Sequence, residues 1–409
     1  MLNAAWAITD PGNKRDNNED SFYFNEACGV FLVADGVGGG DDGELASKMI
    51  AEGLEEAAES LAAFAATADP INDSKHREAV FAKLLDTIQE INRAVYEAGR
   101  EVDTYTPMAS TCDAVLVTGA AAFIAHVGDS RVYLIRENEI YRITEDHTFA
   151  EELKAQNIVN EKMLAKYEHV LSRSIGGKPN VEIDSIFIDL QDGDRLFLCS
   201  DGITDYLNGP EIGEFCAALD EEFLLQKLVE TAKDRGGADN LTGLLVRVQD
   251  DEQSRDTIRD MPRFDTMRQA DLLGKVSVFR GLDIRQILKV MRIIGQETYG
   301  KGDVIFSKGD ILDSLYIVAD GEVELHVGSR KVGAVGEGNH FGELALVTDD
   351  STTFSARCKT DVRLLTISES RFRQIVSSES EIGARLLWNL LKYSAREISR
   401  LSLELGRKK

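Results

Sequence analysis

The chain has 409 residues, 43% of them hydrophobic, and its 46 basic and 71 acidic side chains give a formal net charge of −25 at pH 7. This length predicts two or three domains, the hydrophobic content excludes a long disordered polymer, and the acidic balance excludes a nucleic-acid binder, because phosphate contacts need clustered Lys and Arg. No apolar run reaches the roughly 18 residues of a membrane span, and the first six residues lack the features of a secretion signal. The five cysteines are scattered, which excludes a disulfide framework and a structural zinc site. We therefore expect a cytoplasmic protein with no membrane partner.

The net negative charge of the chain lies entirely in its first part. Residues 1–250 carry 47 acidic and 21 basic side chains, a net charge of −26, whereas residues 251–409 carry 24 and 25, a net charge of +1. Either the first part has a solvated acidic surface, or some of its carboxylates converge on cations. The change near residue 250 predicts a boundary between two domains.

The first 250 residues combine short strands with long helices. The predicted strands are rich in Val, Ile, Leu and Phe and are bounded by Gly, Asp or Asn; they cover 5–9, 30–34, 114–118, 123–127, 132–136, 185–190, 195–199 and 242–248. Helices are predicted at 44–66 and 76–100, and Asp73 or Ser74 caps the second. The apolar stripe of that helix is formed by Phe81, Leu84, Ile88, Ile91 and Val95. We expect mainly antiparallel sheets covered by helices.

The second part of the chain predicts a small β-roll between helices. Residues 250–271 are polar, dense in charge and contain Pro262, so we expect a linker or a polar connecting helix there. The chain thus divides into a first domain (1–250), a linker (251–271) and a second domain (272–409). In the second domain, helices are predicted near 284–294 and at 380–405, with strands at 303–307, 315–318, 322–327 and 363–367. A turn at Asp320-Gly321 followed by alternating apolar residues predicts a hairpin.

Acidic residues mark several strand ends of the first domain, often beside a glycine. They are Glu19-Asp20, Asp35-Gly36, Asp129, Asp201-Gly202 and Asp239. A single Asp-Gly pair is usually only a turn, but carboxylates packed together raise one another's pKa. A hard divalent cation removes that penalty, and glycine lets a backbone carbonyl or a ligand come close. The set therefore favours a Mg²⁺ or Mn²⁺ site.

Eight short motifs follow one another in the first domain. They are TDPGNKRDNNED (9–20), VADGVGG (33–39), MAST (108–111), GDSR (128–131), DH (146–147), SRSIG (172–176), CSDG (199–202) and ADNLT (238–242). Their sequence and order resemble those of the metal-dependent protein phosphatases, the protein phosphatase 2C-like family, over about residues 3–249. The resemblance implies an α+β fold, a two-sheet β-sandwich flanked by helices, and hydrolysis of phosphoserine and phosphothreonine.

The resemblance also implies a role for each acidic residue. It implies two Mn²⁺ or Mg²⁺ ions bridged by Asp35, with the Gly36 carbonyl as a further ligand. Asp201 and Asp239 then complete the first ion, and Glu19 binds the second directly or through water. A third, weaker ion lies between Asp129 and Asp201. Asp20 orients the attacking water, and Arg15 clamps the substrate phosphate, whose geometry suits a guanidinium. Two neighbouring ions stabilise both the attacking and the leaving oxygen of a phosphoryl transfer.

Three features of the first domain leave roles open. Val37 stands where eukaryotic members of the family carry a histidine proposed as proton donor, as expected of the bacterial branch, so no side chain is identified as general acid. His147 is either such a donor or a structural histidine. Residues 148–170 lie where the family has a mobile flap, and they form either a substrate-selecting element or a solvated pair of helices.

The second domain carries motifs of another family. KGDVIF (301–306), LYIVADGEV (315–323) and FGELAL (341–346) resemble the β-roll and the phosphate-binding cassette of cyclic nucleotide-binding domains, over about residues 272–405. The resemblance implies a β-roll with flanking helices in which backbone amides face the cyclic phosphate and Glu343 accepts from a ribose hydroxyl. The implied ligand-binding residues are Gly342, Glu343, Leu344, Ala345, Thr352 and Thr353.

Thr352 departs from that pattern, because the family carries a phosphate-pairing arginine at this position. Losing a charge-assisted contact costs roughly 1.5–3 kcal/mol, at least about tenfold in affinity. Three alternatives remain for the β-roll: it binds an uncharged or differently charged ligand such as a nucleoside, it binds a cyclic nucleotide weakly, or it is an empty docking surface.

The sequence thus predicts a cytoplasmic serine/threonine phosphatase that uses two or three Mn²⁺ or Mg²⁺ ions, acts on a protein phosphorylated by a serine/threonine kinase and is regulated through its second domain. One alternative is a constitutive phosphatase whose second domain is a ligand-free docking or homodimerisation module. Another is a non-catalytic phosphoprotein-binding sensor or scaffold, against which the intact set Arg15, Asp35, Asp201 and Asp239 argues.

Overall fold

The computed structural model describes residues 2–38, 41–71, 73–101, 108–137, 139–155, 160–249, 266–348 and 350–406. The chain divides into two compact units, Met1–Arg263 and Phe264–Lys409. The segment expected to be a linker or a connecting helix is helical from Thr266, and its residues Gln269 and Ala270 are buried. Residues 250–265, the remainder of that segment, lie outside the described residues.

The first unit is built on two antiparallel sheets. One sheet has the order β1 (Leu2–Asp10), β11 (Leu241–Gln249), β10 (Arg195–Cys199), β7 (Arg131–Arg136), β8 (Glu139–Arg142). The other has the order β2 (Asp20–Asn25), β3 (Val30–Val37), β5 (Cys112–Thr118), β6 (Ala121–Val127), β9 (Asp184–Asp189), and β4 (Ala109–Ser110) pairs with β3. Strands β10 and β11 contact β2 and β3 of the other sheet, and the strand side chains between them are almost all buried.

Helices cover both outer faces of this sandwich. In chain order the helices of this unit are α1 (Asp41–Ala65), α2 (Ser74–Glu101), α3 (Phe149–Ala155), α4 (Glu161–Tyr167), α5 (Asp201–Thr204), α6 (Gly209–Ala218) and α7 (Glu221–Asp234), of which α3 and α4 pack against each other. Helix α1 packs on β2 and β3 and against α2, whereas α6 and α7 pack on β8, β1 and β11. Asp73 caps α2 by accepting from the amides of Lys75 and His76 at 3.0 Å, and the whole predicted stripe of α2 is buried, which confirms both predictions.

The second unit is a β-roll with flanking helices. Its two sheets have the orders β12 (Gly295–Tyr299), β19 (Val362–Ser368), β14 (Ser314–Asp320), β17 (His340–Phe341) and β13 (Val304–Phe306), β18 (Ser355–Cys358), β15 (Glu322–Val327), β16 (Arg330–Gly336). The helices are α8 (Thr266–Lys275), α9 (Ile284–Met291), α10 (Glu369–Ser378) and α11 (Ser380–Gly406), with short 3₁₀ turns at Ser277–Phe279 and Glu343–Leu346. The fold class predicted for both domains is confirmed.

The hairpin predicted at Asp320-Gly321 is wrong. Strand β14 ends at Asp320 and β15 begins at Glu322, but β14 pairs with β17 and β19, whereas β15 pairs with β16 and β18. The turn therefore carries the chain from one sheet of the roll to the other. Gly321 adopts φ +92°, and a side chain there would overlap the Asp361 carbonyl. The glycine serves this close approach, which its dipeptide does not distinguish from a hairpin turn.

Candidate metal centre and the second-unit cassette

The register of β2 and β3 brings two carboxylates face to face. Asp20 is directly opposite Asp35 in this antiparallel pair. Like charges in that position destabilise a sheet, unless positive charge lies between them. The amide of Gly36 donates to the carbonyl of Glu19 at 3.0 Å, so Glu19 is held beside the same pair. A side chain at Gly36 would overlap the carbonyls of Gly43 and Glu19, which explains why only glycine fits here.

The other sheet contributes Asp201 and Asp239. Asp201 begins α5 directly after β10, and Asp239 precedes β11. The Ser200 hydroxyl ties the two sheets together, because it donates to Asp20 Oδ2 at 2.8 Å and accepts from the Thr242 amide at 3.0 Å. These bonds fix the carboxylate of Asp20 between the sheets.

Asn240 organises the loop that carries Glu19. Its side-chain oxygen accepts from the Glu19 amide at 2.8 Å, and its side-chain nitrogen donates to the carbonyls of Pro11 and Asn17. The long N-terminal motif is therefore held in place by a residue more than 200 positions away.

Asp129 follows a tight turn at Gly128, where φ is +112°. Thr111 packs against that turn and also fixes Asp35: its hydroxyl accepts from the Asp35 amide, and its own amide donates to the Asp35 carbonyl, both at 2.8 Å. The Thr111 hydroxyl also shares a hydrogen bond with Ser130 at 2.7 Å. Asp129 and Asp35 are therefore held by one common residue.

Burial and mutual repulsion raise the pKa values of three carboxylates in this cluster. Burial, together with the charges of Asp201 and Asp239, raises the pKa of Asp20 to about 7, although hydrogen bonds from Thr242 and Ser200 oppose the shift. Burial and then the charge of Asp20 hold the pKa of Asp35 well above its ordinary value. Burial and the charge of Asp201 do the same to the pKa of Asp129. The cluster carries more negative charge than its surroundings neutralise.

Arg15 is the cation at the rim of this cluster. Its guanidinium donates to Asp239 Oδ2 at 2.8 Å, and 43% of its side chain is exposed. The hydrogen bond to Asp239 is the largest influence that raises the pKa of Arg15, and Glu19 and Asp35 add to it. The exposed guanidinium is accessible to an anion arriving from solvent.

The donor set fits hard divalent cations, because it consists of oxygens that such ions prefer. One oxygen, Asp20 Oδ1, is buried without a hydrogen-bond partner among the described residues. The structure thus brings together the predicted residues Arg15, Glu19, Asp20, Asp35, Gly36, Asp129, Asp201 and Asp239.

Several residues that contact the site have no role that the sequence motifs predict. Thr111, Ser200, Asn240 and Thr242 lie inside the motifs quoted above, and that position was the only available signal for them. His169, from the segment that follows α4, places Nδ1 3.8 Å from Asp201 Oδ2 and 3.9 Å from Asp205 Oδ1. The nearby carboxylates, Asp201 above all, raise the pKa of His169 to about 9. Nothing in the local sequence indicates these contacts.

In the second unit, the predicted cassette forms a short 3₁₀ turn. Gly342 precedes it with φ +81°, Ala345 is buried, and Leu344 is 60% exposed. Glu343 lies 3.7 Å from Nδ1 of the buried His340.

Thr352 is engaged by its own backbone surroundings. Its hydroxyl donates to the Phe354 carbonyl at 3.0 Å, its amide donates to the Asp310 carbonyl, and the neighbouring Thr353 is exposed. Phe354 packs against the core of the roll, 5.5 Å from the ring of Phe306. The hydroxyl that stands in the arginine position therefore stabilises a turn.

None of the helices within the described residues is both long and apolar enough to cross a bilayer.

Comparison with known proteins agrees with this geometry. The family model described as protein phosphatase 2C matches residues 13–245, and the model described as cyclic nucleotide-binding domain matches residues 296–379. The protein phosphatase PhpP of Streptococcus pneumoniae is 32% identical over 251 residues, 60% of this chain and 97% of PhpP.

Solved structures give the same result. The serine/threonine phosphatase PstP/Ppp of Mycobacterium tuberculosis is 28% identical with a TM-score of 0.53, over 61% of this chain and all of that chain. The catalytic domain of PstP in complex with two manganese ions is 28% identical with a TM-score of 0.50, over 61% of this chain and 99% of that chain. The two manganese ions of that structure are bound by PstP. The chain belongs to the protein phosphatase 2C family of metal-dependent serine/threonine protein phosphatases, and a cyclic nucleotide-binding domain follows its phosphatase domain.

Proposed function

We propose that the clustered carboxylates hold the metal ions in the arrangement that the sequence motifs imply. Asp35, the Gly36 carbonyl, Asp201, Asp239 and Glu19 would hold two ions, and Asp129 with Asp201 would hold a third. The observation that carries this proposal is the direct opposition of Asp20 and Asp35 among further carboxylates, which leaves an uncompensated negative cluster. The ions, when bound, supply a water of lowered pKa and stabilise negative charge on the phosphoryl oxygens.

The remaining residues bind and orient the reactants. Ser200 holds Oδ2 of Asp20, so the unpartnered Oδ1 is available to accept a hydrogen bond from the attacking water and to hold its proton. Asp239 holds Arg15 at the rim, where its guanidinium binds two oxygens of the substrate phosphate. The substrate in this proposal is a phosphoserine or phosphothreonine of a protein modified by a serine/threonine kinase.

Arg15→Gln is expected to raise KM for a phosphothreonine peptide about tenfold or more at saturating Mn²⁺, because the charged, two-pronged contact to the phosphate is lost. The kcat value should fall less, since Arg15 contacts the substrate and lies at the rim of the cluster. Initial rates over a range of peptide concentrations measure the effect, with a phosphotyrosine peptide as the comparison substrate. Arg93→Gln, on the exposed face of α2, is the matched control. A KM within twofold of the wild type would contradict the proposed role.

A cytoplasmic location is part of the proposal. All five cysteines are free thiols in the structure, and four of them are buried. Free thiols are typical of proteins that work in a reducing compartment.

We propose that the second unit is a homodimerisation module without a cyclic nucleotide ligand. The hydroxyl of Thr352 is used in a turn and offers no positive charge to a phosphate. Helix α11 buries one face, with Ile382, Leu386 and Leu390, against its own unit.

The opposite face of α11 leaves Leu387, Trp388 and Leu391 exposed by 42%, 55% and 61%. Leu387 and Leu391 lie one turn apart, and Trp388 is next to Leu387 in sequence. The helix has 27 residues and is about 40 Å long. A second copy of the same helix offers an apolar face of equal length. A regulatory role for a bound nucleoside or cyclic nucleotide is the competing interpretation.

Sedimentation velocity of the full chain is expected to show a dimer at micromolar concentrations, and Trp388→Glu should shift it to a monomer because the charge would be buried in the interface. Phe223→Glu, an exposed aromatic residue in the first unit, is the matched control. A wild-type monomer at all concentrations would refute the module. Calorimetry with cyclic AMP, cyclic GMP and adenosine tests the competitor, which is favoured if any of them binds and changes phosphatase activity.

A further inference from the structure

The residue before the segment that carries α3 and α4 is bound to the turn that carries Asp129. The His147 amide donates to the Gly128 carbonyl at 2.7 Å, and the Gly128 amide donates to His147 Nδ1 at 3.1 Å. The His147 carbonyl accepts from the Ser172 amide at 2.8 Å, and Thr148 forms a β-bridge with Leu171. His147 therefore joins both ends of residues 148–171 to the Gly128 turn.

The backbone contact assigns a tautomer to the imidazole. With the Gly128 amide donating to Nδ1, we assign the proton of the neutral ring to Nε2, which faces the carboxylate of Asp184. Nε2 lies 3.5 Å from Asp184 Oδ2 and 3.3 Å from Arg173 Nη1, and Arg173 itself donates to Asp184 Oδ1 at 2.9 Å. The side chain of His147 is only 6% exposed, so its hydrogen bonds are protected from exchange with water.

A second buried histidine supports the neutral state. The rings of His126 and His147 lie 4.5 Å apart, and Nδ1 of His126 is 2.6 Å from Asp113 Oδ1. Burial alone would lower the pKa of His126, but Asp113 overrides this and raises it. Burial and the neighbouring charge of His126 lower the pKa of His147 to about 4. A neutral, buried ring is a poor proton donor at neutral pH, which leaves a positioning role.

We propose that His147 is a positioning residue for Asp129. Its neutral imidazole holds the Gly128 turn, whose φ is +112°, and Asp129 directly follows that turn. This inference rests on the proposed role of Asp129 as a cation ligand.

Two variants of the full-length protein separate this role from general stability. His147→Asn keeps an acceptor, its Oδ1, near the position of Nδ1, whereas His147→Leu removes it. Calorimetric titration with Mn²⁺ is expected to show that His147→Leu weakens the weakest site at least tenfold and leaves the tighter sites unchanged, and that His147→Asn restores most of the affinity. Equal behaviour of both variants, or an unchanged weakest site in His147→Leu, would overturn the proposal.

Asp129→Asn separates the role of Asp129 as a cation ligand from the positioning role of His147. If it leaves Mn²⁺ binding unchanged, the proposed role of Asp129 fails; if it removes the weakest site while His147→Leu does not, only the positioning role fails. Nitrogen NMR of histidine-labelled wild-type protein gives an answer without any variant. The expected spectrum at pH 7 shows a His147 ring protonated on Nε2 alone, and a ring protonated on Nδ1 would refute the mechanism.

Discussion

Asp35→Asn is expected to lower kcat/KM for a phosphothreonine peptide by at least about 10³-fold, equivalent to about 4 kcal/mol of transition-state stabilisation. The amide has nearly the shape of the carboxylate but no charge, and Asp35 is the residue that the proposal places between both ions. Thr111 binds both the amide and the carbonyl of Asp35, so the position of this strand residue does not depend on the charge of its side chain.

Manganese-dependent hydrolysis, followed at saturating peptide and over a wide range of Mn²⁺ concentrations, measures this loss. Excess Mn²⁺ should not restore the rate, because the bridging position itself is lost. Glu214→Gln, an exposed carboxylate on α6, is the matched control and should retain wild-type rates. Retention of more than a tenth of the wild-type kcat/KM by Asp35→Asn would mean that the reaction does not depend on the proposed bridge.

The metal-free protein is expected to lose stability as the pH rises from 5.5 to 8. The folded-state pKa of Asp20 is about 7, above the ordinary value of 3.8, so the folded state binds more protons than the unfolded state between these values. Stability that depends on that proton is complete below about pH 4 and is lost as the pH rises through 7. Asp35 and Asp129 shift in the same direction.

Thermal unfolding in excess chelator should therefore show a Tm lower at pH 8 than at pH 5.5, by roughly 5 °C. Saturating Mn²⁺ should reverse the trend, because cations bind the deprotonated carboxylates. Asp35→Asn should raise the metal-free Tm at pH 8 and flatten its pH dependence, whereas Glu214→Gln should follow the wild type. If the metal-free Tm of Asp35→Asn falls below that of the wild type at pH 8, repulsion within the cluster does not govern stability there.

Local patterns in the sequence determine much of the architecture. The stripe of α2 and its Asp73 cap follow from spacing within one helix, and the acidic residues were identified from strand ends and motif order. Both signals act over a few residues, so a single sequence contains them. The turn at Asp320-Gly321 shows the limit, because whether a turn closes a hairpin or crosses between sheets depends on partners elsewhere in the chain.

Motifs within single segments predicted the composition of the candidate site: which carboxylates, which arginine and which class of cation. The contacts that hold these groups could not be predicted in this way. Asn240 fixes the Glu19 amide, Ser200 holds Asp20, and His147 binds Gly128. Each of these is a hydrogen bond between segments far apart in sequence, whose partners are selected by the packing of two sheets and are not encoded by any local pattern.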